Sequence, residues 1–111
     1  MKYFVLNSER RGTIYYEFCK GRWDGETFWN DDSIYLHDDV LHENHDFLSA
    51  LMKVKPYFDS FGVTEISRDD WERLRSEVQS YPDGCREMFR ELDTWVMDVF
   101  SSYDCFTVLG I

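Results

Sequence analysis

Residues 85–102 (CREMFRELDTWVMDVFSS) and residues 105–111 (CFTVLGI) end the chain and decide its fold class. In the first segment, apolar residues recur at the spacing of one helix face: Met88, Leu92, Trp95, Val96 and Val99. The second segment is apolar on both faces, which is typical of a strand with neighbours on both sides. We therefore expect a helix that packs across a sheet, and a last strand in the middle of that sheet.

The first forty residues predict most of the remaining sheet. Aromatic and β-branched segments, separated by polar or glycine-containing breaks, stand at residues 3–7, 13–19, 26–30 and 33–37. The second of them alternates apolar and polar residues, as a half-buried antiparallel strand does. The pair Asp24-Gly25 favours a tight turn because both residues tolerate a positive φ. These segments predict a four-stranded antiparallel meander.

The middle of the chain predicts helices. Phe47, Leu48, Leu51 and Met52 recur at helical spacing, and Pro56 ends that helix. Residues 63–66 form a short strand, and Ser67 is the expected N-cap of a helix that reaches about Ser80. The predicted fold is α+β, with a mostly antiparallel sheet (N-terminal meander plus C-terminal strand) and about three helices packed on one face. Residues 1–111 are expected to form a single domain.

The net charge of −10 restricts the class of partner. Phosphate backbones and anionic membranes repel such a protein, so neither nucleic acid nor a membrane is an expected ligand. A basic protein is the natural complement, although acidity also simply keeps many soluble proteins dispersed. Three cysteines without a C-x-x-C pair, and the lack of a signal peptide or a long apolar run, predict a cytoplasmic protein with reduced thiols.

The charge is concentrated between Trp23 and Met52, a stretch with eight carboxylates and no Lys or Arg. Aromatic side chains ringed by charges are typical of protein interfaces, where the rings are buried and the charges steer association. We therefore predict a partner-binding surface on residues 23–46. Its expected members are Trp23, Asp24, Glu26, Trp29, Asp31, Asp32, Tyr35, His37, Asp38, Asp39, Glu43 and Asp46.

The same residues also carry groups that other kinds of site use. His37, His42 and His45 are potential metal ligands, but their spacing does not match the paired-histidine motif of metalloproteases. The adjacent carboxylates Asp31-Asp32 and Asp38-Asp39 are expected on solvated turns, where neither carboxyl acquires the raised pKa of a general acid. Among the thiols, only Cys85 has plausible activation, at a helix start. We expect no catalytic site, no metal and no cofactor.

Residues 62–67 (GVTEIS) lead into residues 71–74 (WERL) as a strand, a cap and a helix, and residues 106–111 (FTVLGI) end the chain. With the small size, the acidity and the α+β organisation, these stretches resemble the small, acidic, cytoplasmic immunity proteins of bacterial contact-dependent growth inhibition and related polymorphic toxin systems. The resemblance implies a protein that binds a cognate toxin, commonly a basic nuclease, and blocks its active site. It supplies no functional residues.

Two alternatives remain at this point. One is a small enzyme that uses the histidine and aspartate cluster. The other is an acidic adaptor or nucleic-acid mimic that inhibits a DNA-binding protein. An immunity gene is expected directly after a toxin gene, which distinguishes immunity from the second alternative.

Overall fold

The computed structural model describes all 111 residues, and its centre is a five-stranded antiparallel sheet. The strands are β1 (Phe4–Leu6), β2 (Tyr15–Lys20), β3 (Ile34–His37), β4 (Val63–Ser67) and β5 (Cys105–Leu109), in the spatial order β1-β3-β2-β5-β4. The helices are α1 (Asp38–Glu43), α2 (His45–Val54), α3 (Arg68–Glu77) and α4 (Asp83–Phe100). Short 3-10 turns stand at Asn7–Glu9 and Val78–Ser80. The predicted α+β class is confirmed, with four helices instead of three.

The C-terminal strand lies where its apolar character predicts. β5 pairs with β2 on one side and with β4 on the other. Phe106 and Val108 point from β5 into a single hydrophobic core that includes buried residues of all four helices. Within it the Trp71 ring stacks on Phe89 at 4.6 Å between ring centroids and meets the Phe106 ring edge-on at 5.6 Å. All four helices therefore pack on one face of the sheet, called here the helical face.

The predicted meander is wrong. β3 lies between β1 and β2, so β1 and β2 are not neighbours, and residues 26–30 form no strand. The backbone N–H groups of Trp29 and Asn30 donate to the side chain of Glu17 instead of to a neighbouring strand. Trp29 also has a φ of 61°, which is incompatible with an extended strand.

The predicted polar turn around Asp38 and Asp39 is instead α1. His37 is its N-cap, with an extended backbone and an Nδ1 that accepts the Asp39 N–H at 3.0 Å. Two carboxylates in the first helical turn are favoured by the positive end of the helix dipole. Asn44 separates α1 from α2, which ends before Pro56 as predicted.

The predicted cap of α3 is confirmed as a reciprocal capping box. Ser67 Oγ accepts the Asp70 N–H at 3.1 Å, and the Asp70 carboxylate accepts the Ser67 N–H at 3.0 Å. Asp70 is buried and also pairs with Lys55 at 3.0 Å. α4 begins at Asp83, two residues before the segment in which the sequence predicts this helix. None of the helices is both long enough and apolar enough to span a membrane.

The opposite face of the sheet, called here the second face, carries Tyr15, Glu17 and Cys19 of β2 and Tyr35 of β3. Residues 21–33, which connect β2 to β3, fold back over this face and are called the second-face loop. The loop therefore covers part of the sheet that no helix covers.

We predict that Gly110→Ala destabilises the fold. A Cβ at Gly110 would lie 2.8 Å from the backbone nitrogen of Gly62 and closer still to the Ser60 carbonyl, and these backbone atoms cannot move aside cheaply. Overpacking of this kind costs about 1–3 kcal/mol of unfolding free energy, measured by thermal or urea denaturation. The matched control is Gly84→Ala, because nothing lies within 4 Å of a Cβ there and the site is in the first turn of α4. The control should be neutral or stabilising, and an equal loss in both variants would contradict the prediction.

Candidate protein-binding surface

The second-face loop is anchored by one buried carboxylate. Glu17 is 2% exposed, and its two oxygens accept hydrogen bonds from the backbone N–H groups of Trp29 (2.7 Å) and Asn30 (3.0 Å). They also accept from the Asn30 side-chain amide (2.9 Å) and from the Ser33 hydroxyl (2.7 Å). Burial alone would raise the pKa of Glu17, but these hydrogen bonds favour the ionised form and bring the pKa below its ordinary value. Glu17 is therefore a charged acceptor whose four donors all come from the loop.

A second set of contacts fixes the Trp29 ring. It stacks on Tyr35 at 5.8 Å between ring centroids, and the Arg10 guanidinium lies 3.8 Å from its centroid on a cation–π contact. The Asn7 side-chain amide donates to the Trp29 carbonyl at 3.0 Å and to the Asp31 carboxylate at 2.8 Å. Trp29 is half-buried in this arrangement, so one part of the ring stabilises the loop and another part faces solvent.

The first half of the loop has its own local structure. The Asp24 carboxylate accepts the N–H groups of Glu26 and Thr27, each at 2.8 Å, and the Thr27 hydroxyl at 2.6 Å. Trp23 donates its indole N–H to the Thr27 carbonyl and packs against Phe28 at 5.1 Å between ring centroids. Phe28 is 54% exposed, so the loop presents an apolar side chain to solvent beside its carboxylates.

The acidic side chains of residues 24–46 have no Lys or Arg partners within the chain. None of the eight forms an ion pair with a Lys or Arg side chain, whereas eight of the fourteen carboxylates elsewhere do. Asp24, Asp31 and Asp38 are occupied by uncharged hydrogen-bond donors. Five of the eight are exposed and carry no hydrogen bond from another side chain: Glu26, Asp32, Asp39, Glu43 and Asp46.

The structure divides the predicted surface into two parts. Asp31 and Asp32 precede β3, while Asp38 and Asp39 follow it, so the two pairs lie at opposite ends of that strand. Four strand residues span roughly 10 Å, which keeps the pairs well apart. Glu43 and Asp46 lie further along, around the junction of α1 and α2, where they line a cleft with Pro82 and Cys85.

One predicted surface residue requires correction. Tyr35 has no exposed area, because it lies beneath the Trp29 ring and donates its hydroxyl to the Asn30 carbonyl at 2.7 Å. It supports the surface from below and is not available for direct contact. His37 is only partly exposed, since it caps α1 and packs edge-on against Tyr15 at 4.9 Å.

Each histidine contacts a different local partner. His37 accepts from the Asp39 N–H, His42 lies 3.4 Å from the Asp38 carboxylate, and His45 lies 3.3 Å from the Ser49 hydroxyl. No group of three or more His, Cys, Asp or Glu side chains is placed so that it could hold a metal ion.

The three cysteines are free, and burial raises the pKa of each thiol. Cys19, beside the charge of Glu17, has a pKa of about 12. Cys85 has a pKa of about 11, raised by burial and then by Asp46, so the start of α4 does not activate it. All three thiols are therefore protonated at neutral pH, which is the opposite of nucleophilic activation.

Sequence reasoning missed the side chains that build this surface: Asn7, Arg10 and Glu17. Glu17 occupies the polar side of an alternating strand, where a solvent-exposed carboxylate is the ordinary expectation. Arg10 and Asn7 belong to a connection whose partners are more than fifteen residues away. Nothing in their local sequence indicates those contacts.

We predict that Glu17→Gln loosens the second-face loop. An amide would direct its own NH₂ at the loop's donors, leaving buried groups unsatisfied at a cost of about 1–3 kcal/mol. The unfolding free energy should fall accordingly, and hydrogen exchange should accelerate at residues 27–33. Glu26→Gln is the matched control, because this exposed loop carboxylate should change stability by less than about 0.5 kcal/mol.

The pH dependence of the unfolding free energy of wild type and of Glu17→Gln tests whether Glu17 is charged in the folded protein. Because the pKa of Glu17 is lowered in the folded state, its contribution is fully present above the unfolded pKa of about 4.3 and is lost as pH falls through the lower folded value. The stability difference between wild type and Glu17→Gln should therefore shrink on acidification. A difference that grows towards low pH would contradict the assignment of Glu17 as a charged acceptor.

Comparisons of the chain with protein-family models, with curated proteins and with solved structures gave no significant match.

Proposed function

We propose that this chain is a cytoplasmic immunity protein that binds a cognate toxin, a basic nuclease domain, and blocks its active site. The observation that carries the proposal is the set of eight carboxylates on residues 24–46, none of which pairs with a Lys or Arg of the chain. A nuclease cleft is cationic because it binds phosphates, and these carboxylates compete for the same cations.

The free state of the carboxylates matters for affinity. A carboxylate that already pairs within its own chain must lose that partner before it binds another, so it contributes little to association. Glu26, Asp32 and Asp39 have no such partner among the cationic side chains, and their field extends into solvent. This arrangement steers a cationic partner towards the surface and raises the association rate.

The second-face loop also provides an apolar contact beside its charges. Phe28 is exposed beside the Trp23 ring, and the Trp29 ring packs against both Tyr35 and the Arg10 guanidinium, which also lies 5.3 Å from the Tyr35 ring. Interfaces obtain much of their binding energy from such aromatic side chains, and ordered rings lose little entropy on binding. The loop therefore combines the steering charges and the anchors that a toxin-binding surface needs.

The two parts of the surface lead to a paired charge-reversal prediction. Glu26→Lys/Asp32→Lys changes the second-face loop, and Asp39→Lys/Glu43→Lys changes α1. If both parts face the toxin, each double variant should slow association by about tenfold or more, since rim charges act mainly on the association rate. Association is measured by surface plasmon resonance with the protein encoded directly upstream of this chain's gene.

The control double variant is Glu87→Lys/Asp98→Lys on α4. Its charge change is identical, Asp98 is free of cationic partners, and Glu87 makes only an exposed pair with Lys2, which contributes little to stability. Glu91 and Asp93 are unsuitable controls because they bond the N-terminal backbone and Arg75. If the α4 variant no longer binds the toxin while both other variants still bind it, the toxin-binding surface lies on α4 and its assignment to residues 23–46 is wrong.

The function itself is tested by coexpression. The upstream protein should inhibit growth when expressed alone, and this chain should restore growth and abolish nuclease activity in a purified mixture. An upstream protein that neither binds the chain nor harms the cell contradicts the immunity assignment. Binding to a DNA-binding protein encoded elsewhere would instead favour the alternative function, an acidic adaptor or nucleic-acid mimic.

A further inference from the structure

The sheet has two edges, and the chain closes only one of them. In β1, the N–H groups of Phe4 and Leu6 point away from β3, and each donates to a carboxylate: Phe4 to Glu91 at 2.9 Å and Leu6 to Glu9 at 2.8 Å. An edge whose donors are already bonded cannot serve as a template for another strand. The β1 edge is therefore closed by side chains.

The β4 edge is open. Gly110 donates its N–H to the Gly62 carbonyl at 2.7 Å, and in an antiparallel ladder the bonded pairs alternate, so Thr64 and Ile66 face β5. Val63 and Glu65 consequently direct their N–H and C=O groups outward. No other backbone group and no side chain bonds those outward-facing groups, whereas the Ser67 N–H is taken by Asp70.

Exposed apolar side chains stand at the start of β4 and in the connection that precedes it. Val63 is 52% exposed, and Phe61 and Tyr57 in the preceding connection are 80% and 94% exposed. On the second face, Val63 stands opposite Leu109, which with Ile111 and other residues lines a cleft of about 280 Å³. A strand added to β4 would therefore find both backbone partners and apolar neighbours.

The charge of the chain disfavours a second copy as the occupant. Antiparallel pairing of two β4 strands about Glu65 would place two carboxylates directly opposite each other, which destabilises a sheet. Each copy also has a net charge of −10. A cationic strand has the opposite preference, because of the net charge of the chain and because Glu65, in the middle of the edge, is held only by an exposed pair with Arg22, which contributes little and is easily replaced by an incoming cation.

We propose that the outer edge of β4 accepts an extended strand of a basic partner protein. That strand places a lysine or arginine opposite Glu65 and, two residues away on the same face, an apolar side chain opposite Val63. Arg22 of the second-face loop lies 3.4 Å from Glu65, so the open edge borders the acidic surface and one partner can contact both. The basic character of the partner rests on the proposed function, whereas the open edge does not.

A short peptide tests the edge without the toxin. The probe is acetylated and amidated Lys-Thr-Val-Thr-Lys, titrated into isotopically labelled protein. Its binding should shift the backbone amide signals of Val63 and Glu65 most strongly. In an antiparallel register the first Lys stands opposite Glu65 and the central Val opposite Val63, so N-methylation of these two residues, whose N–H groups face β4, should abolish the shifts, while N-methylation of the two Thr residues should preserve them. Absence of binding, equal shifts at β1, or indifference to the N-methylation pattern overturns the proposal.

Two matched substitutions extend the test to the full partner. Val63→Lys places a positive charge beside the open edge, where it repels a basic strand, and Met97→Lys adds the same charge at a side chain of similar exposure on α4, 48% against 52%. Val63→Lys should weaken binding of both the peptide and the upstream toxin by at least about tenfold, and Met97→Lys should not. A toxin that binds wild type and Val63→Lys equally overturns the strand-addition proposal but leaves immunity intact. An upstream protein that binds neither, while the peptide still binds β4, contradicts the immunity assignment alone.

Discussion

The hydrogen bonds to the Glu17 carboxylate determine the form of the acidic surface. A buried charge is costly unless donors surround it, and the second-face loop supplies four. Meeting that requirement bends the chain at Trp29 into a left-handed conformation and prevents residues 26–30 from forming a strand. The loop then lies flat over Tyr35, is clamped by Arg10 and Asn7, and directs Glu26 and Asp32 to solvent. The buried Glu17 carboxylate thus determines where the exposed carboxylates of the loop, Glu26 and Asp32, are placed.

The distribution of ion pairs extends this argument to the whole molecule. On α3 and α4, Arg75 pairs with Glu72 and Asp93, Lys2 pairs with Glu87, and Arg86 pairs with Asp83. The charges of this half of the protein are largely balanced locally. None of the carboxylates of residues 24–46 pairs with a Lys or Arg, so the field of this segment is not neutralised by such pairs within the chain. The acidic segment, residues 24–46, therefore carries charges that are available for a partner, whereas the charges of α3 and α4 are mostly engaged.

Local sequence patterns predicted those elements whose determinants are local. The Ser67 cap, the stop before Pro56, the apolar stripe of α4 and the central position of β5 all follow from spacing and residue type. The strand order did not, because the insertion of β3 between β1 and β2 depends on contacts far apart in the sequence. The segment around Trp29 has β-forming side chains, yet its backbone donors bond to Glu17. α1 was missed because its N-cap is a histidine, which is not among the residues that usually indicate a helix start.

The same division holds for the candidate surface. Its acidity is visible in composition, while the burial of Tyr35, the clamp on Trp29 and the open edge of β4 require the structure. The central claim is that unpaired carboxylates steer a cationic toxin to this surface, and the most direct measurement is the association rate with the upstream toxin as a function of salt. Exposed charges are screened within about 10 Å at 0.1 M salt, so the rate should fall by about tenfold or more between 0.05 and 0.5 M while dissociation changes much less. An association rate that is independent of salt would contradict the account.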